Sequence, residues 1–434
     1  MNPSSVNLTL ILPLILLSPL AAAGLALIHQ GLGRSRSAAH AMLATLCSLA
    51  VAALAFTLIG NHWTGYPNGP SHTLQIAGAP WNWLGSLPLT YSANSANPAN
   101  SAANSLPALA LILQLFAAGL AAIIPLSAGT DRWRLAPICL ATAVFSAFLY
   151  PLIAHWAWAS GWLSQLDVNF RLAPFQDFGG AAVIQVPGGL MALSVAWILG
   201  PRRGKYSAGQ ATAIPGHNIV QVLFGCLLAL IGFIALESAA CLLFSNSTPE
   251  QIPALILNAV LSASAGCLAA VHTTQIRYRK PDASISANGW VAGLVAGSAG
   301  CQWVSPPAAI LIAAIAGLLT TYLVEILELR LLIDDPGGAI SVHAASGLWG
   351  LLAFAIFTTQ PGNSHTNHVL AQLVGIATLV GFLLPLIHGA NLLINRFLSY
   401  RTDRDGDWQG MDIRELGSGA YPEFVIHADE FVPR

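Results

Sequence analysis

Long apolar stretches are the feature that most restricts how this chain can fold. The chain of 434 residues is 55% hydrophobic and only 8% charged, whereas soluble domains carry roughly a quarter charged residues. The charges are clustered and leave apolar segments of about 20 residues, the length that a helix needs to cross a bilayer core. These segments lack the period-two alternation of barrel strands, so helices must satisfy their backbone inside lipid. The sequence therefore predicts an all-α membrane protein.

Eleven spans are predicted from the apolar stretches. They lie at residues 7–28, 40–60, 106–128, 136–158, 178–200, 217–244, 252–273, 285–304, 307–329, 337–358 and 368–397. We take residues 1–398 as the transmembrane domain and residues 399–434 as a cytoplasmic C-terminal tail. A cleaved signal peptide is the alternative for the first span, but no basic region precedes it.

The basic residues indicate the orientation, because cytoplasmic loops hold an excess of Lys and Arg. Of 17 basic residues, only Arg171 falls in the loops on one side of the predicted spans. We therefore expect an integral protein of the plasma or inner membrane with the N-terminus outside. The outer connection 62–105 is rich in Asn, Ser, Pro and Ala, and we interpret it as a mobile insertion.

The six cysteines form no CxxC pair, so neither a metal nor a disulfide is implied, and no cofactor is expected. Paired catalytic carboxylates, a Ser-His-Asp set and a phosphate-binding glycine loop do not occur on a common element. The formal net charge of -1 gives no support to nucleic-acid binding. An enzyme and a nucleic-acid-binding protein are both disfavoured.

Two segments repeat one pattern in opposite orientations. Residues 177–190 read DFGGAAVIQVPGGL, and residues 335–348 read DPGGAISVHAASGL, an alignment without a gap. The first copy enters its span from outside and the second from inside. The sequence thus predicts a five-plus-five inverted repeat, about 7–200 and 217–358, with the additional span 368–397. Transport folds built from such repeats place their pathway near the midplane.

The repeat places one polar residue in each copy at the same depth. Eight residues of helix rise about 12 Å, so we expect Gln185 and His343 to meet around mid-bilayer. A polar side chain at that depth favours a pathway, and the alternative is an interhelical hydrogen bond that only holds the bundle together. Asp177 and Asp335 stand at helix starts, where we interpret them as caps.

Several motifs together resemble the ammonium transporter and Rhesus channel family. They read LALIHQGLGRSR at 25–36, PLIAHWAWASGWL at 151–163, DFGGAAVIQ at 177–185, NGWVAGLVAGSAG at 288–300, DDPGGAISVHAASGLWG at 334–350 and GMDIRELGSGAY at 410–421. Their order and spacing extend the resemblance along nearly the whole chain. It implies a homotrimer of eleven-helix subunits, each with its own pore for ammonium or ammonia.

In that family a Trp and a Phe form an outer cation site, two stacked Phe close the pore below it, and two His line the midplane. Aromatic faces attract a cation, and the dry pore beneath favours release of its proton. By resemblance, Trp158 matches the outer-site Trp and His343 the second pore His. Asp177 matches the vestibule Asp. The neutral molecule then crosses, while the histidines relay the proton.

Other positions depart from the family pattern. Leu113 and Ala117 stand where the family has its outer-site Phe and first gate Phe. Leu236 replaces the second gate Phe, Ala240 replaces an outer-site Ser, and Gln185 replaces the first pore His. Each missing ring weakens cation binding by about 1 to 2 kcal/mol. Because Gln cannot titrate, a relay by two midplane histidines is not expected.

Glu237 is a further departure, since the family carries Asn there. We interpret it as a neutral, hydrogen-bonded carboxyl, with a cation site as the alternative. His155 and His388 are expected to be structural, and His217 and Asn218 to cap the sixth span.

The leading functional hypothesis is a conduit for ammonium or ammonia. An ammonium sensor with little flux is the second, and a less selective pore for another small solute is the third. The family's cytoplasmic partner is a PII-type signal protein, but the tail departs from the family pattern at Leu416 and Ser418.

Overall fold

The computed structural model describes residues 8–76, 78–87, 101–207, 210–245, 247–360 and 365–421, and only the backbone of residues 101–105. Within these ranges, eleven apolar helices follow the predicted spans, and we number them α1 to α11. They are α1 Leu8–Leu32, α2 Ser35–Thr64, α3 Leu106–Gly129, α4 Leu135–Val144 continued by Phe145–Leu149 and Tyr150–Trp158, α5 Ala181–Leu199, α6 Ile219–Phe244, α7 Pro249–Tyr278, α8 Ala283–Ser298, α9 Pro306–Leu329, α10 Ile340–Phe357 and α11 His365–Phe397.

Within the described ranges, ten helices are long and apolar enough to cross a membrane. The helix α8 has 16 residues and is shorter than the predicted span 285–304. Its N-terminus is fixed by Asp282, whose carboxylate accepts the N–H of Ile285 at 2.9 Å. Its C-terminus gives way to a short turn at Cys301–Trp303. Because α8 packs against α6, α7 and α9, it lies inside the bundle and completes the predicted all-α fold.

The loops that hold the basic residues meet on one face of the bundle, which we call the basic face. Ion pairs and hydrogen bonds join them. These link Arg34 to Asp131, Arg202 to Asp334, Lys205 to Glu328, Arg277 to Glu325, and Arg401 to the carbonyls of Leu199 and Pro201. The charge pattern predicted this common face, and the contacts confirm it.

The connection after α2 is more ordered than expected. Strands β1 Ser71–Ile76 and β2 Ala79–Gly85 form an antiparallel hairpin. Trp81 and Trp83 of β2 stack at 5.7 Å and pack against Trp162, while Trp83 also meets Trp156. The expectation of a mobile insertion is wrong for this part, because alternating Trp residues anchor the strand to the bundle. Residues 77 and 88–100 of the same prediction lie outside the described residues.

The tail packs against the basic face. Its helical segments are Arg404–Gln409 and Asp412–Leu416. Elsewhere, in the loop after α5, two short strands, β3 Tyr206–Ser207 and β4 Gln210–Ala211, pair antiparallel. The part of the predicted tail from 422 to 434 lies outside the described residues.

Candidate transport pathway

The two copies of the repeat begin with the same local structure. In the first, the carboxylate of Asp177 accepts four backbone N–H groups, those of Gly180, Ala181, Ala182 and Val183, at 2.8 to 3.0 Å. In the second, the carboxylate of Asp335 accepts the N–H of Ile340 at 2.7 Å. Both aspartates therefore accept backbone N–H groups at helix starts, the arrangement that a cap requires.

A glycine with positive φ follows each aspartate by three residues. The φ angle is 101° at Gly180 and 71° at Gly338, values that favour residues without a Cβ atom. Each copy then forms a π-helical turn, Ala181–Gln185 in α5 and Ile340–Ala345 in α10. Such turns are rare and frequently occur at functional sites. The two polar residues of the repeat stand in these two turns.

The repeats also contact each other reciprocally. A Cβ atom on Gly189 would lie 2.3 Å from the backbone nitrogen of Ala344, and one on Gly347 would lie 2.7 Å from a methyl group of Val186. In the gapless alignment Gly189 corresponds to Gly347, and Val186 corresponds to Ala344. Each helix thus presents the same glycine to the same position of the other, as a local two-fold axis requires.

Gln185 and His343 meet between these turns. Nδ1 of His343 lies 2.7 Å from Oε1 of Gln185, and both residues are buried, at 2% and 1% exposure. Since an amide oxygen only accepts hydrogen bonds, Nδ1 carries the hydrogen of this bond. Nε2 is then the nitrogen of His343 that is able to accept a proton.

The outer positions form an aromatic pair that was not predicted. The ring of Trp158 stacks on Phe244 at 4.9 Å and 16°. Its Nε1 donates to the carbonyl oxygen of Asp177 at 2.7 Å, which fixes the indole beside the start of the first repeat. Phe244 follows Ala240 by four residues in α6, so the two lie on one face of that helix, but nothing in the sequence pointed from Trp158 to Phe244.

The remaining outer and gate positions are buried without rings of their own. Leu113, Ala117 and Ala240 are fully buried, and Leu236 is 2% exposed. The neighbouring Gln114 donates to the carbonyl of Gly65 at 3.1 Å, which holds this part of α3 to the end of α2. The predicted outer and gate positions near Trp158 are therefore occupied by buried aliphatic groups.

Glu237 is buried behind the first repeat. Its Oε2 lies 3.8 Å from the thiol of Cys301, and its Oε1 has no hydrogen-bond partner among the described residues. A Cβ atom on Gly179 would lie 2.8 Å from Cγ of Glu237, so this side chain packs against the loop that follows Asp177. Within the described ranges, no basic residue lies at ion-pair distance from it.

Charged residues hold the start of the second repeat. Asp334 accepts from the backbone and guanidinium of Arg202 at 2.7 to 3.0 Å, and Arg132 donates to its carbonyl at 2.8 Å. Burial alone disfavours the carboxylate, but the guanidinium groups of Arg132 and Arg202 outweigh this and hold the pKa of Asp334 at about 2. Arg202 also reaches Asp131 at 3.3 Å, so α3, α5 and α10 are joined at the basic face.

The tail caps two membrane helices at the same face. The carboxylate of Asp412 accepts the N–H groups of Ala39 and His40 in α2. That of Glu415 accepts the N–H of Leu135 in α4 at 2.7 Å and pairs with Arg134 at 3.3 Å. The pKa of Glu415 is lowered to about 2, mainly by the neighbouring imidazole of His40, and the N–H of Leu135 and the guanidinium of Arg134 lower it further. A cavity of about 940 Å³ lies between this segment and α4.

Other predicted residues have structural contacts. His155 bonds to the carbonyl of Thr64 and to Asn82, and His388 bonds to Ser194. Asn218 caps α6 by accepting the N–H of Gln221 at 3.0 Å. His217 contacts the carbonyl of Gly33 at 3.1 Å instead of a helix N–H.

Comparison with known proteins agrees with this architecture. The family model described as the Ammonium Transporter Family matches residues 8–421. The chain belongs to the ammonium transporter family. Over 426 residues it is 32% identical to the ammonium transporter Amt2 of Archaeoglobus fulgidus, covering 94% of this chain and 86% of that protein. It is 28% identical to the ammonium transporter Amt2 of Haloferax mediterranei, over 96% and 90% of the two chains.

Solved structures show the same fold. A sensor Amt protein superposes with a TM-score of 0.83 at 24% identity, covering 96% of this chain and all of the other. Mep2 of Candida albicans gives 0.77 at 20% identity, covering 92% and 86%. The ammonium transporter fold is thus established for this integral membrane protein, and its family consists of transporters rather than enzymes.

Proposed function

We propose that this chain conducts ammonium or ammonia across a membrane through one pore in each subunit. The observation that carries the proposal is the buried contact of His343 with Gln185, between two oppositely inserted helices of an ammonium transporter family member. In the proposed pathway, the two side chains offer hydrogen bonds to a small polar solute halfway across. The inverted repeats of the proposed domain extend over about 7–200 and 217–358.

We place the outer recognition site at Trp158, together with Leu113 and Ala240. Stacking on Phe244 occupies one face of the indole, so the opposite face is the one that attracts a cation. Below it, Ala117 and Leu236 act as the gate. Small and aliphatic side chains there leave a passage that is apolar and wider than one closed by the family's two Phe rings. A neutral ammonia molecule crosses such a passage at a lower desolvation cost than a cation.

Asp177 and Asp335 act as structural caps at the two vestibules, a role supported by their bonds to backbone N–H groups. Glu237 acts as a neutral carboxyl beside the outer vestibule. The thiol of Cys301 and the lack of a basic partner among the described residues support this, because an isolated carboxylate is costly at this depth.

The N-terminus lies outside and the basic face lies in the cytoplasm of a plasma or inner membrane, according to the positive-inside rule. By analogy with the family, the chain assembles as a homotrimer and offers its cytoplasmic face to a PII-type signal protein. Light scattering of the purified protein tests the trimer, and co-purification with a PII protein tests the partner.

Flux into reconstituted vesicles tests the function. Vesicles containing the purified protein should take up ammonium and methylammonium faster than empty vesicles and should exclude potassium. His343→Phe, which keeps a ring of similar size but removes the polar nitrogens, should lower ammonium flux at least tenfold. His388→Phe is the matched control, because His388 contacts Ser194 outside the repeat junction, and it should retain the flux.

Two results would overturn parts of this proposal. Folded protein with no flux above empty vesicles would remove the transport function, and ammonium binding under those conditions would replace it with a sensor. Full flux in folded His343→Phe would leave transport intact but remove the pathway assignment.

A further inference from the structure

The cavity of about 940 Å³ at the basic face lies between the start of α4, the end of α11 and the tail. This volume is within the range of pockets that hold small molecules, about 300 to 1,000 Å³. Its walls include Arg134, Ala136 and Cys139 at the start of α4, Ser399 after α11, and Arg414 of the tail. The cavity thus joins two membrane helices to the tail, and none of these residues belongs to the proposed transport pathway.

Two of the arginines in the cavity wall keep free donors. Arg134 reaches Glu415 through Nε alone, at 3.3 Å, so its two terminal nitrogens make no hydrogen bond with a described residue. Arg414 binds Asp403 through Nε and Nη2, at 3.2 and 2.5 Å, which leaves Nη1 without a partner among the described residues. Both side chains are partly exposed, at 41% and 50%. Because a guanidinium only donates hydrogen bonds, these nitrogens favour an anion.

The charges of the lining match a ligand with a single negative charge. Three arginines face two carboxylates, those of Asp403 and Glu415. The third arginine, Arg401, also pairs with Asp407 outside the lining, so the excess of positive charge is at most one unit. The start of α4 adds to this preference, because the N–H groups and the dipole at a helix N-terminus attract negative charge. The carboxylate of Glu415 already accepts the N–H of Leu135 there.

The surface next to the cavity is apolar and exposed. Leu140 follows Cys139 in α4 and is 43% exposed, while Leu393 and Phe397 at the end of α11 are 60% and 80% exposed. The helices α4 and α11 pack against each other, so these side chains border one seam. Exposed apolar patches of this kind mark surfaces that contact a membrane. A basic cavity that continues into an apolar seam offers separate contacts to the two parts of a phospholipid.

We propose that this cavity binds the headgroup of an anionic phospholipid, with its phosphate on Arg134 and Arg414 and its acyl chains along the seam of α4 and α11. In the orientation proposed above, the lipid belongs to the cytoplasmic leaflet, which carries the anionic lipids. A free phosphate offers the same charged group but has no acyl chain to contact Leu140 and Phe397. Since one guanidinium belongs to α4 and the other to the tail, the bound lipid holds the tail against the membrane domain.

Native mass spectrometry of the purified protein with added lipid tests the site. Phosphatidylglycerol, with one negative charge, should bind more tightly than phosphatidylcholine, which has no net charge. Arg134→Gln and Arg414→Gln should each weaken phosphatidylglycerol binding about fivefold, the contribution of one basic residue near an anionic surface. Arg277→Gln is the matched control, because Arg277 pairs with Glu325 outside the cavity, and it should bind the lipid like the unmodified protein.

A further variant fills the cavity and keeps every charge. Ala136 is an exposed residue of the cavity wall, and Ala136→Phe should weaken phosphatidylglycerol binding without changing the charge of the lining. Hydrogen exchange in lipid nanodiscs gives an independent readout of the tail. Residues 403–417 should exchange more slowly with phosphatidylglycerol present than with phosphatidylcholine alone, and Arg414→Gln should remove this difference.

Three results would overturn the proposal, and none of them involves ammonium flux. Unchanged phosphatidylglycerol binding by folded Arg134→Gln, Arg414→Gln and Ala136→Phe would show that the lipid binds elsewhere. Equal affinities for the two lipids would remove the selection by charge. Protection of the tail by inorganic phosphate in phosphatidylcholine nanodiscs, as strong as that by phosphatidylglycerol, would replace the lipid with a free phosphate.

Discussion

The starts of the two repeats share a backbone design but differ in the residues that surround it. At the start of the first repeat, on the side proposed to face outward, Asp177 accepts four N–H groups, the indole of Trp158 donates to its carbonyl, and Glu237 packs against the adjacent Gly179. At the inner start, Asp335 follows Asp334, which Arg132 and Arg202 enclose. Burial raises the pKa of both Asp177 and Asp335 to about 6, against the backbone donors that lower it. Both aspartates accept backbone N–H groups at a helix start, four at Asp177 and one at Asp335, and the residues around the two caps also differ.

Because the surrounding residues differ, we expect the starts of the two repeats to differ in rigidity. A buried network of guanidinium and carboxylate groups has directional bonds and a high cost of disruption. Aromatic stacking at the outer end is less directional, with about 0.5 to 1.5 kcal/mol for a ring pair beyond its burial. We therefore expect a rigid inner end and a more adaptable outer end, where a solute first meets the protein.

The largest expected effect comes from breaking the inner network. Asp334→Asn keeps the shape of the side chain but leaves Arg132 and Arg202 without their shared carboxylate. Breaking a buried ion pair in this way costs about 3 to 5 kcal/mol, so the folded fraction after heating in detergent should fall sharply. Glu325→Gln is the control, because the pair of Glu325 with Arg277 is partly exposed and is worth about 0 to 1 kcal/mol. Equal losses in the two variants would contradict a rigid inner end.

The contact between the repeats should show its own asymmetry. Gly189→Ala places a methyl group 2.3 Å from a backbone nitrogen of Ala344, whereas Gly347→Ala places it 2.7 Å from a side-chain methyl of Val186. A backbone yields less than a side chain, so we expect Gly189→Ala to lower stability by about 1 to 3 kcal/mol and Gly347→Ala by less. Thermal unfolding in detergent measures both, and a larger loss in Gly347→Ala would show that the reciprocal contact is misassigned.

The central contact was predictable because the repeat supplied long-range information. A gapless match between 177–190 and 335–348, together with their opposite directions, placed Gln185 and His343 at one depth. Helical rise then gave the depth itself. No comparable signal linked Trp158 to Phe244, since the separation of 86 positions carries no contact information.

The small cavity of about 20 Å³ between α1, α2, α3 and α4 was not predictable for the same reason. Its polar lining residues, such as His29, His40 and Asp131, each read singly as ordinary polar residues, and the rest of its wall is apolar. The start of α8 did have a signal, because Asp282 caps its N-terminus, whereas the shortening lies at its C-terminus, before the turn Cys301–Trp303. The hairpin β1–β2 was also marked, by Trp81 and Trp83 at alternating positions, but the Asn- and Ser-rich composition of the following segment concealed it.

The two caps themselves provide a smaller test of the comparison. Asp177→Asn retains only one accepting oxygen for four N–H groups, so stability should fall by about 1 to 2 kcal/mol. Asp335→Asn should cost less, because Asp335 accepts one N–H group where Asp177 accepts four, and because Asp334 and its arginines still hold the inner start. The difference between the two unfolding midpoints is the measurement, and a larger loss from Asp335→Asn would mean that the ionic neighbours contribute little.

The smallest expected effect is at the tail, where the pH should act on Glu415. Its pKa is lowered from an ordinary value of 4.5 to about 2 in the folded protein. A carboxylate with a lowered pKa stabilises the docked tail fully above the ordinary value, and this stabilisation is lost as the pH falls from about 4.5 toward 2. Hydrogen exchange of residues 403–417, corrected for the intrinsic rate, should therefore rise across that range.

A pair of variants separates this effect from general acid unfolding. Glu415→Gln removes the carboxylate and should give faster exchange at neutral pH, with little further change on mild acidification. Asp405→Asn changes an exposed carboxylate in the same segment and should behave like the unmodified protein. If Glu415→Gln left exchange at neutral pH unchanged, the tail would be held by Asp412 and its contacts to α2 alone. The basic face would then be rigid through its buried network and not through the tail.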